Sequence, residues 1–170
     1  MPRPDLTRVP EYYHHYINQV PEVDLLPALN NQHSKALAFF KSIPAEKYNY
    51  RYAEGKWTLK EVLQHILDAE RIFAYRALCI ARQDSTPLPS FDENLYAENC
   101  KATNRDWNDM VEEFSAVRKT TEILFRSFDT MQLETSGTSS GKPVYVMGIG
   151  FIISGHVEHH ISIIQERYLN

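Results

Sequence analysis

Three histidines have the type and spacing to do metal chemistry: His156 and His160, four residues apart near the C-terminus, and His65 far upstream. The downstream pair sits in Gly155-His156-Val157-Glu158-His159-His160. At about 100° per residue on a helix, Ile153, Val157, Ile161, Ile164 and Tyr168 gather on one side. His160 then lies about 20° from Ile153, His156 about 60° and His159 about 120°. His156 and His160 therefore face inward one turn apart, while His159 points toward solvent or a neighbouring chain. Two imidazoles at i and i+4 can converge on one ion. Two buried neutral rings, each with its own hydrogen bonds, would have the same spacing, so the pair alone leaves both readings open. His65 adds a third inward ring from another helix, with Val62, Ala69 and Ile72 on about the same side. Three His ligands with open positions make a catalytic type of site, because water or substrate takes the remaining coordination. No obvious Cys or His offers a fourth ligand, and imidazole suits Zn, Ni, Fe or Cu without choosing among them.

Two familiar metal patterns do not apply. A zincin needs His-Glu-x-x-His, but Val157 follows His156 and Glu158 comes one place late. A di-iron bundle needs Glu-x-x-His on two helices. Only Glu11-Tyr12-Tyr13-His14 matches, in a proline-flanked segment, and it reads as coincidence. His14, His15 and His33 read as surface or boundary residues. Around the triad, Asp68, Arg76 and His159 are candidates for supporting a ligand or touching substrate. Asp68 lies three residues beyond His65 and could orient a ligand imidazole; an exposed helix acid is the plainer reading. Arg76 could bind a substrate carboxylate, with an ion pair to a neighbouring helix as the plainer alternative. Arg71, Tyr75 and Arg82 are weaker candidates. Since histidine must be neutral to ligate, metal affinity is expected to fall as pH drops through roughly 6.

Four long helices must position these residues. The first runs from about Asp24 to Ile43, where Pro44 stops it. The second opens on Thr58-Leu59-Lys60-Glu61, a capping-box pattern, with Trp57 and Val62 placed for a hydrophobic staple, and continues to about Gln83. Pro87 and Pro89 mark a loop. The third helix spans about Asn104 to Phe128, with Trp107, Val111, Phe114, Val117, Ile123 and Leu124 on its inner side. Residues 129–145, rich in Ser, Thr and Gly, read as a mobile connection, with Val144-Tyr145-Val146 as a short extended piece. The fourth helix spans about Val146 to Tyr168. Residues 1–21 read as a segment wrapping the bundle, with a short helix near residues 11–19. With almost no strand signal, the fold is an all-α four-helix bundle.

The chain has 170 residues and 43% hydrophobic composition, which suits one domain over residues 1–170. A net charge of −4 without a basic run argues against nucleic acid as a partner. No stretch approaches the roughly 20 apolar residues of a membrane span, and Met1-Pro2-Arg3-Pro4-Asp5 lacks the apolar run of a signal peptide. Cys79 and Cys100 make no disulfide framework; Cys79 reads as a small core residue, and a reducing cytoplasm is the expected compartment.

The blocks Lys56-Trp57-Thr58-Leu59-Lys60-Glu61-Val62-Leu63-Gln64-His65-Ile66, Asp68-Ala69-Glu70-Arg71 and Gly155-His156-Val157-Glu158-His159-His160 resemble the DinB/YfiT-like four-helix bundles. The likeness extends over about residues 10–168. It implies an up-down-down-up bundle with one divalent metal held by His65, His156 and His160. It also implies a small-molecule substrate and leaves room for a homodimer, for which Trp107, the tyrosines and His159 could supply surface. Several members of that family transfer a low-molecular-weight thiol of the bacillithiol, mycothiol or glutathione type; others are described as metal-dependent hydrolases. The expected function is thus thiol transfer to an electrophile at a three-His site. Metal-dependent hydrolysis and a non-catalytic metal-binding or stress-response role are the alternatives.

Overall fold

The computed structural model describes residues 3–170. In chain order the elements are α1 (His14–Asn18), α2 (Leu25–Ser42), α3 (Leu59–Ala81), α4 (Glu93–Asn99), α5 (Trp107–Arg126), α6 (Thr130–Leu133), β1 (Ser136–Ser139), β2 (Lys142–Tyr145) and α7 (Val146–Arg167). The four long helices start where their side chains cap them or where the chain turns in. Thr58 accepts a hydrogen bond from the Glu61 N–H, while the Glu61 carboxylate accepts from the Thr58 N–H, so α3 has the expected capping box. Asp106 caps α5 by accepting from the Asn108 and Asp109 N–H groups.

Helix α2 and helix α3 each pack on both α5 and α7, and side-chain contacts fix the directions. Along α3 and α5, Lys60 Nζ reaches the Arg105 carbonyl and Glu70 meets Arg118, so both chain numbers rise together and the helices run parallel. Along α2 and α5, the Phe40 carbonyl accepts from Trp107 Nε1 while Gln32 meets Arg118, so that pair is antiparallel. Helices α3 and α7 are likewise antiparallel, since the Trp57 carbonyl accepts from the Tyr168 hydroxyl and His65 faces His156. The order is up-down-down-up. Parallel α3 and α5 oblige residues 82–106 to travel back along the bundle, and α4 lies in that crossover, capped by Asp92.

Three sequence expectations are corrected, one in a connection and two on α5. Residues 129–145 are ordered as α6 and an antiparallel hairpin in which Ser139 pairs with Lys142. Ser140 and Gly141 form its two-residue turn with φ of 53° and 71°, the left-handed pair whose twist matches a hairpin. Ile123, expected on the inner side of α5, is 48% exposed. Trp107 supplies no outer surface either: it is buried, stacked on Tyr48 with ring centroids 4.6 Å apart. No helix among the described residues is long and apolar enough to cross a membrane.

The core divides into two apolar clusters, one around Leu29, Ile80, Phe125 and Phe151, the other around Phe40, Ile66, Phe114 and Ile164. Where the helices pass from one to the other, polar side chains occupy the interior. Arg118, fully buried, donates to both carboxylate oxygens of Glu70 at 2.8 Å and to Gln32 Oε1. His156 lies at the same seam, between Ile153 of one cluster and Val157 of the other.

Candidate metal centre

The capping box fixes the start of α3, and about two turns after Thr58 the helical phase brings His65 onto the face packed against α7. On α7, the four-residue spacing places His156 and His160 one above the other. The three rings meet. His65 Nε2 lies 3.0 Å from His156 Nε2, and His160 Nε2 lies 3.1 Å from the same atom. All three ligand atoms fall within 4.8 Å of one another.

These distances suit a shared cation better than hydrogen bonding. A neutral imidazole nitrogen carries either one proton or one lone pair, so His156 Nε2 cannot make an ordinary hydrogen bond to each neighbour. Two nitrogens each about 2.1 Å from one ion lie about 3.0 Å apart at a right angle and about 3.4 Å apart at a tetrahedral angle. Burial pushes the His65 imidazole down to about 4. Burial, then repulsion from neighbouring imidazoles, holds His156 and His160 well below the ordinary histidine value. All three rings are therefore neutral near pH 7, the form that can ligate. The donor set fits a borderline transition ion such as Zn, Ni or Fe.

The rings form the floor of a cavity of about 200 Å³ walled by Tyr12, Tyr13, Tyr16, Trp57, Phe91 and Glu93. Most of these residues come from outside the bundle. The N-terminal segment contributes the tyrosines and the crossover contributes Phe91 and Glu93. Tyr16 stands edge-on to His156 with ring centroids 5.5 Å apart. Helix α1 lies this close because position 155 is glycine: a Cβ there would come within 2.0 Å of the Tyr16 carbonyl oxygen. Sequence periodicity found the floor and missed these walls, since an aromatic in a proline-flanked segment carries no helical phase.

The other candidates are placed as follows. His159 is half-buried at the cavity edge, its ring 5.3 Å from that of His15 and 5.1 Å from that of Tyr16. Asp68 accepts from Gln64 Nε2 at 2.9 Å, and Gln64 in turn accepts from Arg105, so Asp68 joins a network facing α5 rather than the three histidines. Arg76 is buried and donates to the Pro89 carbonyl at 2.7 Å and the Ser140 hydroxyl at 3.1 Å, outside the histidine cavity. Of the histidines read as surface or boundary, His33 pairs with Glu122 at 2.8 Å, and the His14 ring lies 2.9 Å from the Leu6 and Val9 carbonyls. Neither joins the triad. Cys79 is buried and free, as expected.

Bundle and histidine cluster together define a helical protein with a built candidate metal centre. The DinB superfamily profile matches residues 28–164, and the chain belongs to that superfamily. Among solved structures it is similar to YfiT from Bacillus subtilis, described as a probable metal-dependent hydrolase with an unusual four-helix bundle topology. The TM-score is 0.73 at 17% identity, over 96% of this chain and 89% of that one. No curated protein matches.

Proposed function

We propose that His65, His156 and His160 hold one divalent transition ion and that the protein is a metal-dependent enzyme acting on a small molecule. The reaction we favour is transfer of a low-molecular-weight thiol to an electrophile. The observation that carries the metal is the convergence of three neutral Nε2 atoms at 3.0 and 3.1 Å on the floor of an open cavity. When bound, the ion supplies Lewis acidity, lowering the pKa of a sulfhydryl or a water set against it. Three neutral ligands leave the ion's charge uncompensated, so the site favours an anionic guest.

The surroundings favour sulfur over water. Glu93, the only carboxylate lining the cavity among the described residues, is exposed at its rim. The other base lining the cavity among the described residues is His159, half-buried at its edge. A thiol starts at a pKa of about 8.5 and needs far less help than water, a much weaker acid. The aromatic walls give an apolar body of a substrate surface to pack against. In the transfer the thiol loses its proton to solvent, a sulfur–carbon bond forms and the bond from that carbon to its leaving group breaks. Hydrolysis is the second reading, supported by the description of the YfiT relative.

Untagged, metal-loaded protein incubated with a generic electrophile and a panel of cellular thiols separates these readings. Conjugation with one thiol and no reaction without it supports transfer; electrophile consumed in buffer alone supports hydrolysis. Substoichiometric metal, with metal content unaffected by His160→Ala, would remove the proposal.

A further inference from the structure

A second cavity, of about 410 Å³, adjoins the histidine cavity and shares Tyr12, Tyr13 and Phe73 with it. Its far wall is the hairpin and the start of α7, including Val144, Ile149 and Ile152. The volume falls within the range of small-molecule sites, and the wall is mainly apolar. Two polar groups in it lack what their burial calls for.

The first is Arg76, 4% exposed. A buried cation is normally paired with an anion, and the protein contains its own comparison. Arg118, fully buried, has both oxygens of Glu70. Arg76 has a backbone carbonyl, the Ser140 hydroxyl and the Tyr13 phenol beside it, and forms no ion pair among the described residues. The second is Ser139 of the same wall, whose hydroxyl is closed off from solvent and has no hydrogen-bond partner among the described residues. Lys142 and Glu11, both exposed at the rim, carry opposite charges, so the guanidinium is the unbalanced charge inside.

We propose that this cavity is a carboxylate-binding subsite. Arg76 takes the carboxylate of an otherwise apolar small molecule, and Tyr13 and Phe73 lead its body toward the histidine centre. Phe73 stands beside both ends, 5.7 Å from the Arg76 guanidinium carbon and 6.1 Å, centroid to centroid, from the His156 ring. This deepens the proposed function by naming a substrate class, and rests on it for the reaction alone, since the subsite itself needs no metal.

The test is calorimetric titration of 3-phenylpropionate and of its neutral amide into full-length protein, metal-loaded and chelator-treated. The carboxylate should bind about tenfold or more tightly than the amide in both forms. Arg76→Gln should erase that preference and Arg76→Lys retain part of it. Should Arg76→Gln fail to fold, Ser140→Asp serves instead. Ser140 Oγ already lies 3.1 Å from the guanidinium, and aspartate tolerates the left-handed backbone there. That built-in carboxylate should abolish the preference and raise the melting temperature. Equal binding of acid and amide by the wild type, or a preference untouched by both variants, overturns the subsite. So does a preference that vanishes on chelation, because the carboxylate would then be sitting on the metal. Absence of metal from the protein would defeat the enzyme proposal while leaving this test intact.

Discussion

The three imidazoles answer to protons, and burial decides how strongly. The folded His65 value of about 4 lies below the 6.5 expected of the unfolded chain. Between those pH values the unfolded chain takes up a proton that the folded one refuses. Stability is therefore whole above about pH 6.5 and is lost as pH falls toward 4, by up to roughly 3 kcal/mol for this residue in metal-free protein. Urea melts at pH 7, 6, 5 and 4 should show the midpoint falling in that window; a flat midpoint would contradict neutral burial. Retention of metal follows the same window. The sequence alone suggests loss through roughly pH 6, but burial opposes protonation of all three rings, so a bound ion should be kept into more acid solution than that. Metal assay after buffer exchange checks this: emptying complete by pH 6 would mean that the rings are more solvated than the structure shows. His160→Ala should weaken metal binding by more than the roughly 10–100-fold typical of losing a supporting partner, with the helical circular dichroism retained. The phase of α7 made this pair legible beforehand. Arg118 and Glu70 were not legible as partners, because a buried ion pair across two helices leaves no periodic trace in either.

At the level of elements, the layer between the two apolar clusters is the place where substitution should cost most. Glu70→Ala strands the Arg118 charge in the interior, and about 3–5 kcal/mol of stability should go with it. A double variant, Glu70→Leu with Arg118→Met, should recover most of that loss in a denaturant melt. At the helix ends the stakes are smaller. Thr58→Ala removes half of a capping box and should cost about 1 kcal/mol. Gly155→Ala differs in kind, since its methyl group meets backbone, the Tyr16 carbonyl. The expected result is destabilisation of about 1–3 kcal/mol, together with faster hydrogen exchange in α1, which must lift from α7. Unchanged exchange there would show that α1 is held by other contacts. Long helices with clear caps and proline stops were readable to within a few residues. Of the hairpin only an extended piece at Val144-Tyr145-Val146 was legible, although Ser140-Gly141 is a permissible two-residue turn, because its strands are only four residues each and pack on α3 and α7. Helix α4 escaped for the same reason: seven residues with one buried alanine offer no period to read.

Across the whole molecule, the up-down-down-up order has no local signature. It emerges only from which residues meet, and in the sequence it could be reached only through resemblance. Its consequence for the site is that two non-bundle segments, the N-terminal one and the crossover, both close over the same end of the α3–α7 groove. The floor of the centre joins positions 91 residues apart in the chain, His65 and His156. An ion there would tie two distant stretches of polypeptide into one closed loop, much as a covalent bridge would, but reversibly. The protein's resistance to heat would then be set by the free metal around it. A hundredfold excess over the dissociation constant adds about 2.7 kcal/mol, and stripping the ion returns that margin to zero without altering a single residue.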